Sequence, residues 1–174
     1  LDEREVTDAG FLELVRRGIN PAGDEVVRNP VREVDDTRRV DTPSGPGFYR
    51  YNGDGYGERA VVEEGAPWSV ESKGKGRLWP IFTGERAEYE LVYGTESGDL
   101  APENMLETMA GFANSGRMLP EQVWDREHAT DFNWELGKGT GAATPLAWSM
   151  AQYVRLAHGV DAGRPVELPS VLRE

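Results

Sequence analysis

The chain contains no cysteine, which excludes disulfide staples, thiolate metal sites and cysteine nucleophiles. Histidine is almost as scarce: His128 and His158 stand alone, without the spacing of zinc ligands. Positive charge is also short, with 19 Lys and Arg against 31 Asp and Glu and a net charge of -12. A nucleic-acid partner needs a basic stripe, so none is expected. The same charge repels an anionic membrane, and no apolar run approaches membrane-spanning length. No Gly-x-Ser-x-Gly elbow for a serine hydrolase occurs. Gly137-Lys138-Gly139-Thr140 lacks the upstream glycine of a phosphate loop, and a glycine follows its lysine. Asn52-Gly53-Asp54-Gly55 opens like a calcium loop, but the twelve-residue ligand pattern does not follow. Calcium is thus without support, and no cofactor or metal is expected.

What is present is enough chain for one domain, 174 residues, with acidic residues scattered over a solvated surface. Phe11, Leu12, Leu14 and Val15 share one face of a helix expected from Thr7 to Arg17, stopped by Gly18. Asn29-Pro30 reads as a fresh cap and first turn, with Val31 and Val34 facing inward and a short turn of helix before it. Leu78 to Tyr93 forms the next helix, Pro80 sitting in its first turn and Gly94 ending it. Asp99 to Arg117 follows, with Met105, Leu106, Met109, Phe112 and Ala113 on one face. The last helix is expected from Pro145 to His158; it is apolar on most sides and should therefore be buried. The tail from Gly159 reads as irregular. No strand of period two stands out, apart from short pairing within Tyr49 to Val62. The expected class is all-α, about five helices with long loops gathered on one side.

Two loops carry the chemistry. Residues 41–76 are dense in glycine and proline, interleaved with Phe48, Tyr49, Tyr51, Tyr56 and Trp68. Disordered segments are aromatic-poor, so an ordered functional loop fits better. Between two helices lies Gly116 to Asp125, in which Glu121 stands between Pro120 and Gln122, with Trp124 and Asp125 behind. A carboxylate on a loop between rigid helices, with aromatics nearby, suits general-base work on a sugar. Sugar sites also use aromatic faces, which Trp79, Trp124, Trp134 and Trp148 supply, although Trp148 on the last helix reads first as core.

Four stretches, taken together and in order, resemble one family. They are Tyr49 to Glu58 (Tyr-Arg-Tyr-Asn-Gly-Asp-Gly-Tyr-Gly-Glu), Gly76 to Leu91, Leu119 to Asp125 (Leu-Pro-Glu-Gln-Val-Trp-Asp) and Gly141 to Tyr153. Each is similar to the bacterial glucoamylases and glucodextranases of glycoside hydrolase family 15. The resemblance implies an (α/α)6 barrel and an inverting, exo-acting hydrolase that releases β-glucose from the terminal α-glucosidic bonds of α-glucans. It implies that Glu121 is the general base, supported by Gln122. Arg50 would bind sugar hydroxyls, Trp79 and Trp124 would line the substrate site, and Trp148 would pack beneath it.

An inverting pair needs a second carboxyl group about 6.5–9.5 Å from the base. In the family that acid comes from an upstream Trp-Glu-Glu-type motif, and none precedes Glu121 here. Glu63-Glu64 has no tryptophan beside it. The chain opens at Leu1 without an initiator Met. It is therefore read as one segment, residues 1–174, the C-terminal half of a catalytic (α/α)6 domain that is incomplete alone. Its expected partners are an α-glucan or oligosaccharide and either the N-terminal part of the enzyme or another copy covering the open face. The alternative is a non-catalytic carbohydrate-binding or oligomerisation module lacking the general acid. Linkage specificity and compartment are open at this stage.

Overall fold

In the computed structural model, residues 2–59, 66–67, 69–70, 74–127 and 130–172 are described. Glu63, Glu64, Trp68 and His128 lie outside them. In chain order come α1 (Leu12–Arg16), α2 (Glu25–Arg38), β1 (Arg39–Thr42), β2 (Gly45–Phe48), β3 (Glu58–Arg59), β4 (Gly74–Lys75), α3 (Pro80–Tyr93), α4 (Pro102–Gly111) and α5 (Ala147–Ala162). Single 3-10 turns lie at Glu3–Glu5 and Ser170–Leu172. The class is mainly helical, as expected, but two antiparallel ribbons add to it: β1 pairs with β2 and β3 with β4. The first ribbon was not foreseen. Its second strand is Gly-Pro-Gly-Phe, whose composition reads as turn, yet Gly47 packs so close to Leu78 that a Cβ would sit 2.8 Å from its Cδ1.

The hub is α3, which packs against α1, α4, α5 and β2. Pro80 fills its first position, where a missing N–H costs nothing, and Gly94 closes it at φ +88°. Ala87 on α3 joins Val34, Phe48, Met105, Met109, Leu119 and Leu156 in the main core. Burying each larger side chain contributes about 1.5–3 kcal/mol. Tyr89, on another face of α3, joins Leu12, Val15, Val27 and Val31 in a second cluster. Even charged residues of α3 are buried, and they are paired. Arg86 donates to both Asp35 oxygens (2.9 and 2.7 Å) and to Glu90. Glu88 takes Arg155 at 3.0 Å and Arg16 at 3.8 Å.

Helix boundaries differ from expectation at several points, three of them for a local reason given by the side chains and turns nearby. The first helix is short, Leu12–Arg16, because residues 9–11 make only i→i+3 turns. Asn29 is not a cap: α2 runs through it from Asp24, whose side chain accepts from the Val26 N–H at 3.1 Å. Pro30 thus sits inside the helix, and the buried stripe Val27, Val31 and Val34 holds it there. The fourth helix stops at Gly111 rather than Gly116, because the Asn114 side chain takes the N–H groups of Gly116 and Met118 and turns the chain.

The last helix starts at Ala147, after a cis Thr144–Pro145 bond, and continues through Gly159 to Gly163 at φ +64°. It is not buried all round. Its buried residues are Ser149, Gln152, Leu156 and Gly159, a small and polar face that meets α3 and α4 closely. Gly84 of α3 allows this approach, since a Cβ there would lie 2.4 Å from the Gln152 side chain. Trp148, expected beneath the site, faces the other way and is 55% exposed.

Candidate active site

The site is carried by loop segments sewn edge to edge. Isolated antiparallel bridges join Asp8 to Tyr51, Tyr49 to Leu78, Leu78 to Val123 and Val123 to Gly139. Leu78 and Val123 exchange both N–H···O bonds, at 3.2 and 2.8 Å. Both side chains enter the main core. Side chains alternate along extended backbone, so Arg77, Trp79, Gln122 and Trp124 project to the opposite face. Local pairing with the core thus aims the polar and aromatic residues together.

Glu121 is fixed by the backbone on either side of it. Leu119 accepts from the Leu146 N–H at 3.0 Å, Pro120 accepts from the Ser149 hydroxyl at 2.8 Å, and the Glu121 N–H donates to Ala143 at 2.8 Å. The residue is 8% exposed and lines a cavity of about 370 Å³. Around that cavity stand Tyr56, Glu58, Gln122, Trp134 and the 140–143 loop. Tyr56 stands close enough to Glu121 that the carboxylate's negative charge, with some burial, raises the phenol's pKa above its ordinary 10.0. Gln122 does a different job. Its Nε2 donates to the Tyr56 carbonyl at 2.9 Å, and its Oε1 accepts from the Arg77 N–H at 2.7 Å. It clamps the Tyr56 loop to the strand carrying Arg77 and so sets where the Tyr56 hydroxyl lies.

Arg50 sits in an aromatic cage on the other side of Tyr56. Its Nε and Nη2 donate to both Asp54 oxygens at 3.0 and 2.7 Å. Its guanidinium carbon lies 4.9 Å from the ring centres of Tyr51 and Trp79 and 5.5 Å from that of Tyr56. Such stacking holds a cation without neutralising it. Asp54, which opened a calcium-like motif, is committed to Arg50 and to the Tyr56 N–H. Among the described residues no group of three metal-ligating side chains is gathered. No helix there is long and apolar enough to cross a membrane.

Beneath the cavity runs a buried charge network. Arg77 has no exposed surface; it donates to Glu58 and, at 2.7 Å, to Asp125. Its guanidinium carbon lies 4.4 Å from the Trp124 ring, which meets Trp134 at 5.4 Å. Tyr49 donates its hydroxyl to the second Asp125 oxygen. Burial and that hydrogen bond push the Tyr49 phenol far above its usual range. Burial likewise lowers the Arg77 pKa, opposed by Asp125. Glu58 and Glu121 thus line the cavity itself, and Arg77 ties Glu58 to Asp125 behind the wall.

Of the residues singled out from the sequence, Tyr56, Glu121, Gln122 and Trp134 reach the cavity wall directly. Arg50 and Trp79 are joined to Glu121 through Tyr56, whose ring lies 6.0 Å from Trp79. Trp124 is fully buried under Arg77, as part of the wall's support. Sequence reasoning gave no individual role to Tyr56, Glu58 or Arg77, although Tyr56 was among the loop aromatics and the first two belong to the Tyr49 to Glu58 motif. The signal for the first two was their place beside Gly57, where a Cβ would strike the Lys75 carbonyl at 2.2 Å and Gln122 at 2.8 Å.

Residues 1–158 match the family described as Glycosyl hydrolases family 15. The chain is 40% identical over 171 residues to a glucoamylase of Clostridium sp. (strain G0005), an alignment covering 98% of this chain and 22% of that protein. Its fold matches a bacterial glucoamylase crystallised with acarbose at a TM-score of 0.82 and 38% identity, over 98% of this chain and 23% of that one. A variant glycosidase at 24% identity shares the fold at a TM-score of 0.58, over 93% of this chain and 36% of that one. The chain spans about a fifth of the length of the glucoamylases it matches. With the four motifs lying along one cavity wall and its supports, and the match running nearly end to end, the chain belongs to glycosyl hydrolase family 15.

Proposed function

We propose that this chain is the C-terminal part of a catalytic (α/α)6 domain that hydrolyses terminal α-glucosidic bonds of α-glucans with inversion, releasing β-glucose. Glu121 is the general base, which takes a proton from the attacking water. The observation that carries this reading is Glu121 itself: a nearly buried carboxylate on a cavity wall, held by backbone bonds on both sides and sharing that wall with Tyr56. Arg50 and Trp79 are the sugar-binding side of the site, and Gln122 and Trp124 hold its wall. The two carboxylates of the cavity wall, Glu58 and Glu121, also suit a reaction whose transition state resembles an oxocarbenium ion.

The acid is supplied from outside these residues, and the open face of α5 is where further protein fits. Trp148 and Val154 are 55% and 51% exposed there, beside a groove of about 540 Å³ that also touches Met150 and Arg155. Exposed apolar surface of this kind marks a contact site. The same face supports a second reading, a non-catalytic sugar-binding module that associates through α5.

Glucose release from maltodextrin, measured for the chain alone and for the assembled protein, separates the two. The first reading expects activity only on assembly, with the β-anomer appearing first by proton NMR. It also expects Glu121→Gln to lower kcat by about 100- to 10,000-fold. Full activity of Glu121→Gln in the assembled protein would falsify the assignment.

A further inference from the structure

Glu58 holds an acceptor that nothing in the fold uses. Its side chain is 2% exposed, and one oxygen is committed to Arg77. The other, Oε2, is buried and has no hydrogen-bond partner among the described residues. Buried carboxylate oxygens are rarely left this way, because the lost hydration is not returned. Arg77 offers no remedy, since its position is set by Asp125 and by the Trp124 ring as well. Glu58 also lines the cavity that contains Glu121, two residues along the chain from Tyr56 and next to the glycine that packs against Gln122.

Resting on the sugar-site reading above, we infer that Glu58 Oε2 accepts a hydrogen bond from a glucan hydroxyl and is a specificity-determining residue of this cavity. A neutral polyol supplies what the site lacks, a donor without charge. An anion is disfavoured by the two carboxylates of the cavity wall, Glu58 and Glu121. Arg77 pairs with Glu58 and orients it, so the bond to the sugar is charge-assisted and strong. Binding therefore completes a hydrogen-bond set that the empty protein leaves short.

The test titrates maltose, and a series of singly deoxygenated maltoses, into the complete protein carrying Glu121→Gln, with and without Glu58→Gln. Wild-type turnover is measured separately, so that failure of the proposed function shows as absent glucose release even when maltose binds. Glu58→Gln is expected to weaken maltose binding by roughly 10- to 100-fold, the range of a hydrogen bond to a charged group. One deoxygenated maltose should bind both proteins alike, because it lacks the hydroxyl that Oε2 accepts. A parallel loss for every analogue means that Glu58 only props up Arg77, and overturns the inference. So does a maltose affinity changed by less than about twofold, or no maltose binding at all. Should Glu58→Gln not fold, a crystal of the otherwise wild-type protein with maltose decides. A sugar hydroxyl on Oε2 supports the assignment, and a water there defeats it.

Discussion

Tyr56 and Glu121 stand on the wall of the same cavity, and the negative charge of Glu121 is the largest cause of the raised Tyr56 pKa. A nearby anion disfavours the phenolate, so the shift is upward. Replacing Glu121 by Gln removes that charge and should bring the Tyr56 ionisation down toward 10.0. Ultraviolet titration of Glu121→Gln, with Tyr56→Phe to identify the signal, measures this. Tyr56 is 49% exposed, so added salt should shrink the difference. The stability linked to this group is complete below its unfolded value and is lost as pH rises through its raised folded value. An unmoved Tyr56 in Glu121→Gln would place the two groups out of contact.

Arg77 is the only cation between Glu58 and Asp125 among the described residues. Arg77→Met keeps much of the volume but leaves two buried carboxylates facing each other. Breaking a buried pair by removing one partner costs about 3–5 kcal/mol. Urea unfolding should show a loss of that size, partly restored by adding Glu58→Gln and Asp125→Asn. A loss under about 1 kcal/mol, the worth of an exposed pair, would mean that water reaches the network.

What could be read in advance follows from how local each signal is. The boundaries of α3 were legible because Pro80 and Gly94 act on their own backbone. Asn29-Pro30 misled for the same reason: the dipeptide has the form of a cap, but Asp24 had already capped the helix upstream. Glu121, Gln122, Arg50 and Trp79 were named through motif resemblance. The Glu58–Arg77–Asp125 network was not, since its links span 19 and 48 residues and cross turns without periodicity. Nor does a sequence show that the Leu78–Val123 bridge turns Arg77 and Trp124 to the same side. The exposure of Trp148 was hidden by composition: α5 buries its small and polar residues and turns its tryptophan outward.

Gly57 sets the spacing between the Tyr56 loop and the strand that follows. A Cβ there would sit 2.2 Å from the Lys75 carbonyl and 2.8 Å from Gln122 Oε1. The first is backbone next to the β3–β4 ribbon and cannot yield alone; the second holds the Arg77 N–H. Gly57→Ala should cost about 1–3 kcal/mol as an overpacked site and displace the Tyr56 hydroxyl from Glu121. Gly55→Ala is the control, since its Cβ meets only the Gly74 carbonyl at 3.9 Å. It should stay within about 0.5 kcal/mol of the parent. Equal effects in thermal unfolding would remove the special role of Gly57.

Far from the cavity, Glu85 and Glu88 of α3 both have pKa values raised above 4.5, chiefly by burial. Arg16 of α1 and Arg155 of α5 oppose the shift at Glu85, and Glu88 adds to it. Glu167 from the tail faces the same arginines, at 2.5 Å from Arg16 and 3.5 Å from Arg155. A carboxyl raised in the folded state is bound to its proton more tightly there than in the unfolded chain. Its stabilising effect is therefore complete below pH 4.5 and is lost as pH rises through the folded value. Once ionised, Glu85 is a cost, while Arg16 and Arg155 retain Glu88 and Glu167 as partners. Glu85→Gln should thus raise the urea midpoint relative to the parent at pH 7, with the advantage narrowing toward pH 4.5. If the variant is less stable at pH 7, or its advantage grows on acidification, the arginines outweigh burial and the sign is reversed.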